Sequence, residues 1–200
     1  MHTCLVELPY LPNIVWFSNF LKMENVWIER EENFVKSTFR NRCEIAGANG
    51  RQMLSIPLQG GRDHHRLYKE TRILNDTRWQ KIHWQGIRSA YGSAPYFEFY
   101  EDRIRKFYET EFEYLFEFNY QLLQTLLQIL KTDRPVAFTQ TYEANPELVM
   151  DRRKQSLKTA DTPRYYQVFE ARNGFQPNLS VIDLIFHEGP AAKEYLLRLK

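Results

Sequence analysis

A chain of 200 residues is long enough for one domain with a core of several layers. Its 27 basic and 25 acidic residues nearly cancel to a net charge of +2, which argues against nucleic-acid binding, since nucleic-acid binders concentrate basic side chains on one face. No apolar run reaches the roughly eighteen residues of a membrane span, and the 2 cysteines without a C-x-x-C pair predict free thiols in a reducing, cytoplasmic compartment.

The start of the chain predicts a β-α-β unit. Residues 3–8 form a short, largely apolar run that Pro9 ends, as expected of a buried strand. Residues 14–23 repeat apolar side chains at helical spacing, and Asn13 is the expected N-cap of this helix. A second strand over residues 25–29 follows at once, and a crossover of this kind favours parallel pairing of the two strands.

The loop between the first strand and the helix is the expected edge of a cleft. Ligands of open α/β sheets bind outside the carboxyl ends of the strands, which places Glu7 and Tyr10 beside that cleft. The alternative is that Pro9 and Pro12 only shape a tight turn. The loop lacks the glycines of a dinucleotide-binding fingerprint, so the sequence indicates no cofactor of that class.

A β-hairpin is predicted next. Two β-forming runs, residues 42–46 and 52–58, flank a turn from Gly47 to Gly50 that contains an Asn-Gly step. This step favours a tight turn because both residue types tolerate positive φ.

Arg40, Asn41 and Arg42 stand at the mouth of the hairpin. If these residues are extended, the two arginines share a face and can converge on one anion, because the guanidinium group suits phosphates and carboxylates. Asn41 then points away from them and can fasten the hairpin. The alternative is that one arginine forms a buried salt bridge to one of three acids: Glu7, Glu29 or Asp183.

Adjacent histidines, His64 and His65, lie in a polar loop over residues 59–68. Neighbouring side chains point apart on a strand and diverge on a helix, so this pair is poorly placed to clamp one metal ion, and we expect no metal site. Residues 70–74 follow as a candidate strand.

A helix that runs to about Tyr91 is predicted after a cap at Asp76 or Thr77. Its expected apolar face consists of Trp79, Ile82, His83, Gly86, Ile87 and Ala90. His83 has two interpretations on this face. It is a hydrogen-bonded core residue, or it is a general acid/base, because small shifts bring a histidine pKa into the working range.

The second half of the chain is predicted to be mainly helical around a polar excursion. Helices are expected over residues 96–109, 112–131, 181–186 and 191–199, and short extended pieces over 134–139 and 165–169. Residues 142–164 turn polar and predict a loop, which contains the basic run from Asp151 to Lys154. Asn178 or Ser180 is the expected cap of the helix over 181–186, and Asp183 complements its dipole.

These elements predict a single α/β domain over residues 1–200, with a mixed β-sheet flanked by helices. The sheet is expected to be mixed because the β-α-β start favours parallel pairing whereas a hairpin is antiparallel. A two-layer α+β domain is the alternative. The 14 Phe and 12 Tyr suit either a tightly filled core or a stacking cleft.

A series of motifs extends in order along nearly the whole chain. They are Leu8-Pro-Tyr-Leu-Pro, Phe39-Arg-Asn-Arg-Cys-Glu-Ile, Leu54-Ser-Ile-Pro, Trp79-Gln-Lys-Ile-His, Ser93-Ala-Pro-Tyr-Phe, and Pro177-Asn-Leu-Ser-Val-Ile-Asp-Leu-Ile-Phe with its Glu188-Gly-Pro ending. In these motifs the chain resembles the WbqC-like family of bacterial proteins. It differs from many members in lacking a longer glycine-bearing segment before the last motif, and in having Glu7 where many relatives have glutamine.

The resemblance implies a link to surface-polysaccharide gene sets and an acyl- or aminoacyl-transfer role, such as the transfer of glycine onto an amino sugar. The expected ligand is then a small anionic or sugar molecule, in particular a nucleotide-linked sugar. The alternative is a non-catalytic ligand-binding or scaffold protein of the same system, which the lack of a recognisable catalytic motif favours. Neither a cofactor nor an oligomeric state follows from the sequence.

The predicted site combines the motif positions with the chemistry of their side chains. His83 is the candidate catalytic base. The candidate binding residues are Tyr10, Arg40, Asn41, Arg42, Tyr96, Asn178, Ser180 and Asp183.

Overall fold

Short strands and longer helices make up the protein, for which the computed structural model describes residues 3–60, 66–153 and 161–199. The strands are β1 (Thr3–Val6), β2 (Asn25–Ile28), β3 (Arg42–Gly47), β4 (Gly50–Ser55), β5 (Ala137–Phe138) and β6 (Met150–Asp151). The helices are α1 (Ile14–Lys22), α2 (Trp79–Tyr91), α3 (Phe97–Glu109), α4 (Leu115–Ile129), α5 (Glu170–Asn173), α6 (Val181–Glu188) and α7 (Ala192–Arg198). Short 3₁₀ turns occupy Tyr68–Glu70 and Gly189–Ala191.

The predicted β-α-β unit is confirmed. β1 and β2 pair in parallel from Thr3 opposite Asn25 to Val6 opposite Ile28, with α1 as the crossover. β5 extends this sheet beside β2, and β6 extends it beside β1, so the strand order is β5-β2-β1-β6 and all pairs are parallel. The carboxyl ends of the strands therefore lie along one edge of the sheet.

The predicted hairpin is also confirmed. β3 and β4 pair antiparallel from Arg42 opposite Ser55 to Gly47 opposite Gly50. Gly50 has a φ of +107°, a conformation that a residue without a Cβ adopts without strain. The fold is α/β and contains both pairing styles, but each style forms its own sheet, and β3 of the hairpin packs against α2.

Aromatic side chains fill the core. Tyr10, Tyr68 and Tyr91 are each fully buried, and so are Phe17, Phe20, Phe118 and Phe186. Burying an apolar side chain of this size stabilises a fold by about 1.5–3 kcal/mol. Of the two roles expected for the aromatic surplus, core filling is the one these rings have.

The predicted helices are confirmed, and α2 differs from its prediction at its start and in the width of its buried face. Its N-cap residue is Arg78, without a side-chain capping bond, and not Asp76 or Thr77. Ile82 is 59 % exposed, although it was expected on the apolar face. The buried stripe is narrower than the predicted one and consists of Trp79, His83, Ile87, Ala90 and Tyr91. None of the helices in the described part of the chain is long and apolar enough to cross a membrane.

Residues 70–74 are not a strand, contrary to the sequence prediction. The chain forms the 3₁₀ turn over Tyr68–Glu70 and then makes single bridges, from Arg72 to Tyr114 and from Ile73 to Leu58. Successive residues thus pair with two different segments, so no continuous ladder forms.

The polar segment over residues 142–164 is not entirely a loop, because Met150–Asp151 forms β6. Arg153, which was expected on a surface loop, is only 4 % exposed. Its Nη1 donates to Glu29 Oε2 at 3.0 Å, and its Nη2 donates to the carbonyl of Glu143 at 2.8 Å. A buried guanidinium group requires such partners, so this basic residue anchors the excursion to the sheet.

The N-termini of α1 and α6 are bound to each other. The N–H of Ile14 donates to the carbonyl of Leu179 at 3.0 Å, and the N–H of Val181 donates to the carbonyl of Pro12 at 2.8 Å. The first N–H groups of a helix have no partner within that helix. Each entry loop therefore supplies the acceptor that the other helix needs.

Tyr96 fills the space beside Gly189, at the break between α6 and α7. A Cβ added to Gly189 would lie 2.5 Å from ring carbons of Tyr96, and Gly189 has a φ of +53°. The position therefore requires glycine both for space and for backbone conformation.

We expect Gly189→Ala to lower the free energy of unfolding by about 2–5 kcal/mol, through left-handed backbone strain and overpacking against Tyr96. Gly174→Ala is the matched control, because Gly174 also has a positive φ, +70°, but nothing lies within 4 Å of its added Cβ. The control should lose only the strain energy, about 1–2 kcal/mol. Urea denaturation of both variants measures the difference, and equal losses would contradict the packing role of Tyr96.

Candidate functional site

Arg40 lies in the core and is paired internally, contrary to the expectation that it binds a ligand with Arg42. It is 3 % exposed, its Nη1 lies 2.7 Å from Glu7 Oε2, and its Nε donates to Glu32 Oε1 at 2.9 Å. The alternative of a buried salt bridge to Glu7 is therefore confirmed. Strand alternation does not apply to Arg40 because β3 begins only at Arg42.

Asn41 fastens the hairpin, as expected from the sequence. Its Nδ2 donates to the carbonyl of Ile56 at 2.9 Å, and the N–H of Ile56 donates to the carbonyl of Asn41 at 2.9 Å. These two bonds continue the pairing of β3 and β4 by one step beyond the strands. The other side-chain atom, Oδ1, is buried and has no hydrogen-bond partner among the described residues.

A basic pocket lies at the open end of the hairpin and has a volume of about 290 Å³. Three basic residues contribute to its lining, namely Lys36, Arg42 and Arg66, and so does Asn41. No acidic side chain is among the described residues of the lining. We call this cavity the basic pocket.

One of the lining residues, Arg42, has a side-chain donor without a hydrogen-bond partner among the described residues. This donor is its Nε, which is buried. A buried donor without a partner costs about 1–3 kcal/mol, and more when the group is charged. Because Arg66 and Lys36 add positive charge to the same lining, the arrangement favours an anion.

Glu7 is a functional candidate, although the sequence indicated for it only a place beside the cleft and a salt bridge to an arginine. It directly follows β1, at the carboxyl edge of the parallel sheet, and its side chain is 15 % exposed. Burial raises the pKa of Glu7 from 4.5 to about 7, against the opposing effect of Arg40. A carboxyl group with a pKa near neutrality can both accept and donate a proton at working pH.

His83 does not have the geometry of a catalytic base. It is 3 % exposed, its Nε2 lies 3.3 Å from the carbonyl of Ser55, and its Nδ1 lies 3.0 Å from Tyr10 Oη. A carbonyl only accepts, so Nε2 carries the proton and Nδ1 accepts from Tyr10. Burial lowers the pKa of His83 to about 4. With both nitrogens bonded internally, His83 is the hydrogen-bonded core residue of the two alternatives.

Tyr10, a predicted binding residue, is also internal. It is fully buried, and its Oη lies 2.6 Å from Tyr108 Oη as well as within bonding distance of His83. The N–H of Tyr10 donates to the carbonyl of Phe39 at 2.8 Å. Tyr10 therefore connects the first loop to α2, α3 and the segment before the hairpin.

The remaining predicted binding residues lie outside the basic pocket. Tyr96 packs on Gly189, as described above. Asn178 does not cap α6; its Oδ1 accepts from the N–H of Val15 at 3.0 Å and so caps α1. Ser180 is the N-cap residue of α6 by position, but its hydroxyl makes no capping bond.

Asp183 is fully buried and holds the segment that precedes α5. Tyr165 Oη donates to its carboxylate, and Gln167 Nε2 donates to its Oδ2 at 2.9 Å. Burial raises the pKa of Asp183, and these bonds oppose the rise. The helix-dipole role expected from the sequence is thus combined with a packing role, and no described contact directs Asp183 to the basic pocket.

The adjacent histidines, His64 and His65, lie outside the described residues, as do Lys154 and Lys158. Within the described ranges, no group of three or more His, Cys, Asp or Glu side chains is arranged to hold a metal ion. Cys4 and Cys43 are buried free thiols.

The fold and the pocket define an α/β protein with a basic cavity at the open end of a β-hairpin. The chain belongs to the WbqC-like protein family, whose model matches residues 9–172. It is also similar to the uncharacterized protein Rv1507c of Mycobacterium tuberculosis, with 25 % identity over 222 aligned positions that cover 96 % of each chain. No solved structure matches the chain.

We expect Glu7 to make stability fall as pH rises from 4.5 to about 7. The pKa is higher in the folded than in the unfolded state, so the protein gains stability from this group at acid pH and loses it across that window, by about 3 kcal/mol. Glu7→Gln should remove this fall in urea denaturation series between pH 4.5 and 8. Glu44→Gln, in the exposed pair with Arg51, is the control and should leave it intact. An unchanged pH profile in Glu7→Gln would contradict the buried environment.

We expect the ring of His83 to remain neutral until the pH approaches about 4. Its folded pKa lies below the unfolded value of 6.5, so the stability from the neutral ring is fully present above pH 6.5 and is lost as pH falls toward 4. Nitrogen-15 NMR of the imidazole, assigned with His83→Gln, measures this titration. A His83 pKa near 6.5 would show that the ring reaches water.

Proposed function

We propose that the protein is a group transferase, of acyl or aminoacyl type, that binds a phosphate-bearing sugar ligand in the basic pocket. The ligand class is a nucleotide-linked or amino sugar, and the role belongs to surface-polysaccharide biosynthesis. Membership of the WbqC-like family agrees with this role without specifying a reaction or a substrate.

The basic pocket is the observation that carries the proposal. Lys36, Arg42 and Arg66 line one cavity, and none of the lining residues in the described part of the chain is acidic. A phosphate group carries up to two negative charges, and its oxygens accept the parallel N–H bonds that an arginine donates. Arg42 is one of the lining residues, and its guanidinium group can donate such bonds.

The volume of the pocket limits which part of the ligand can bind inside it. A cavity of about 290 Å³ lies at the lower end of the range for small-molecule sites, about 300–1,000 Å³. It suits a sugar phosphate or the phosphate end of a nucleotide sugar, with the remaining part of the ligand outside.

For the transfer step we assign the proton-accepting role to Glu7 in place of His83. Glu7 is not among the described residues that line the basic pocket, so this assignment requires the reacting end of the ligand to extend from the pocket to Glu7. As the acceptor amine attacks the acyl carbonyl carbon, a C–N bond forms, the bond to the leaving group breaks, and Glu7 takes the amine proton. The pKa of about 7 suits Glu7 to this exchange, and its partly exposed carboxylate is held by Arg40 at 2.7 Å.

A non-catalytic binding protein is the second candidate. The observation that favours it is the burial of the predicted catalytic residue, His83, in a closed chain of hydrogen bonds. Both candidates use the basic pocket, and only the transferase requires Glu7.

We expect UDP-N-acetylglucosamine and related nucleotide sugars to raise the melting temperature of the wild-type protein. A ligand at a hundred times its Kd adds about 2.7 kcal/mol, which corresponds to roughly 5–10 °C for a chain of this size. Arg42→Ala should abolish the shift, and Arg88→Ala, an exposed arginine on α2, should retain it. Differential scanning fluorimetry provides the measurement.

The same panel, combined with acyl donors, separates the two candidates. A transferase should convert an acyl donor and an amino sugar to the amide, and Glu7→Gln should lose turnover while it keeps the thermal shift. Binding without turnover in the wild type would favour the binding protein. No shift with any phosphate-bearing ligand would refute the role of the pocket.

A further inference from the structure

A second cavity lies over the parallel sheet, and its described lining residues include none that line the basic pocket. Its volume is about 420 Å³, within the range of small-molecule sites, about 300–1,000 Å³. Most of its described lining residues belong to the segment over residues 137–149, which contains β5 and leads to β6. We call this cavity the sheet-face cavity.

The floor of the sheet-face cavity is a row of side chains on three adjacent strands. Leu5, Trp27 and Ala137 are aligned in the register of β1, β2 and β5, and all three line the cavity. Val26 and Ile28, on either side of Trp27, are buried in the main hydrophobic core. Successive side chains of a strand point to opposite faces, so Trp27 points away from that core.

Trp27 presents an accessible aromatic ring to this cavity. It is 44 % exposed, whereas Leu5 beside it is only 3 % exposed. Its other neighbour in the row, Ala137, is exposed and has only a methyl group, which leaves room over the sheet beside the indole. A flat ring that stacks there gains both apolar burial and a ring contact.

The charges of the lining exclude an anion. No described lining residue is basic, and the two acids are Glu29 and Glu143. Glu29 is fully buried and already paired, because its carboxylate accepts from Arg153 Nη1 at 3.0 Å and from Thr139 Oγ1 at 2.7 Å. Glu143 is exposed to solvent. An anion would lose its hydration without gaining a counterion, and a cation would find the buried acid already compensated.

We propose that the sheet-face cavity is a second ligand site, which binds an uncharged small molecule by stacking its aromatic ring on Trp27. The inference goes beyond the proposed function and does not depend on it, because the two cavities share no described lining residue and differ in charge. The basic pocket binds the anionic ligand, and the sheet-face cavity binds an apolar, uncharged one.

A series of matched probes tests the chemical class of the ligand on the wild-type protein. The probes 3-phenylpropanol, 3-phenylpropylamine and 3-phenylpropionate share a ring and differ in charge, and 3-cyclohexylpropanol lacks the aromatic ring. Ligand-observed saturation-transfer NMR gives their affinities, and the indole N–H signal of Trp27 reports the place of binding. We expect 3-phenylpropanol to bind about tenfold or more tightly than 3-phenylpropionate. It should bind about threefold more tightly than 3-cyclohexylpropanol.

Ala137→Phe tests whether the probes bind beside Trp27. The new ring fills the room that Ala137 leaves, and an exposed position on the edge strand β5 accepts phenylalanine, so we expect the affinity for 3-phenylpropanol to fall about tenfold or more. Ala48→Phe is the matched control, because Ala48 is an exposed alanine in the hairpin turn and lines neither cavity. It should keep the wild-type affinity.

Trp27→Leu tests the stacking itself. It keeps an apolar side chain on the floor of the cavity but removes the ring, so the preference for 3-phenylpropanol over 3-cyclohexylpropanol should disappear. Phe99→Leu is the control, because Phe99 is an aromatic residue on α3 that is 73 % exposed and is not among the lining residues. This variant should keep the preference.

Four results would overturn the inference, and none of them affects the basic pocket. They are no binding of any probe, equal or tighter binding of the anionic or the cationic probe than of 3-phenylpropanol, binding that persists in Ala137→Phe, and a preference for the aromatic ring that persists in Trp27→Leu. A dimer in sedimentation velocity that Ala137→Phe dissociates would also overturn it, because a second copy would then cover the sheet face. The wild-type probe series decides the question even if a variant does not fold.

Discussion

The fold depends on a buried chain of hydrogen bonds centred on Tyr10. Tyr108 Oη lies 2.6 Å from Tyr10 Oη, which lies 3.0 Å from His83 Nδ1, and His83 Nε2 lies 3.3 Å from the carbonyl of Ser55. Each polar atom in this chain has a partner, which a sealed aromatic core requires. These hydrogen bonds join α3, the first loop, α2 and the end of β4. The N–H of Tyr10 also donates to the carbonyl of Phe39, which precedes the hairpin.

This chain of hydrogen bonds explains why many of the family motif positions stabilise the fold. The first, second, third and fourth motifs meet at Tyr10, Phe39, Ser55 and His83, and the last motif binds the first loop through the helix N-termini. Motifs that recur together in order need not surround a ligand, because they can also hold the helices and strands of the fold together. The candidate site lies at the open end of the hairpin, where Arg42 lines the basic pocket.

Buried arginines compensate the carboxylates at the ends of the parallel strands. Glu7 follows β1 and pairs with Arg40, and Glu29 follows β2 and pairs with Arg153. Removing such charges from water costs several kcal/mol per ion, and their mutual attraction repays it only with close contacts and further hydrogen bonds. Glu29 also accepts from Thr139 Oγ1 at 2.7 Å, whereas Glu7 remains partly exposed. That difference separates a structural carboxylate from a candidate acid/base.

The sequence by itself determined the local elements: the β-α-β start, the hairpin with its Gly50 turn, the helices, and the family. Periodicity and turn chemistry are local properties, so they can be inferred from neighbours in the chain. It did not determine the partners of the polar residues. Only tertiary structure placed Arg40 on Glu7 and Arg42 in a pocket, because the partner of a charged side chain lies far away in the chain. For the same reason the sequence could not show that His83, on the apolar face of α2, is buried with both ring nitrogens hydrogen-bonded. Glu7 replaces it as the candidate base.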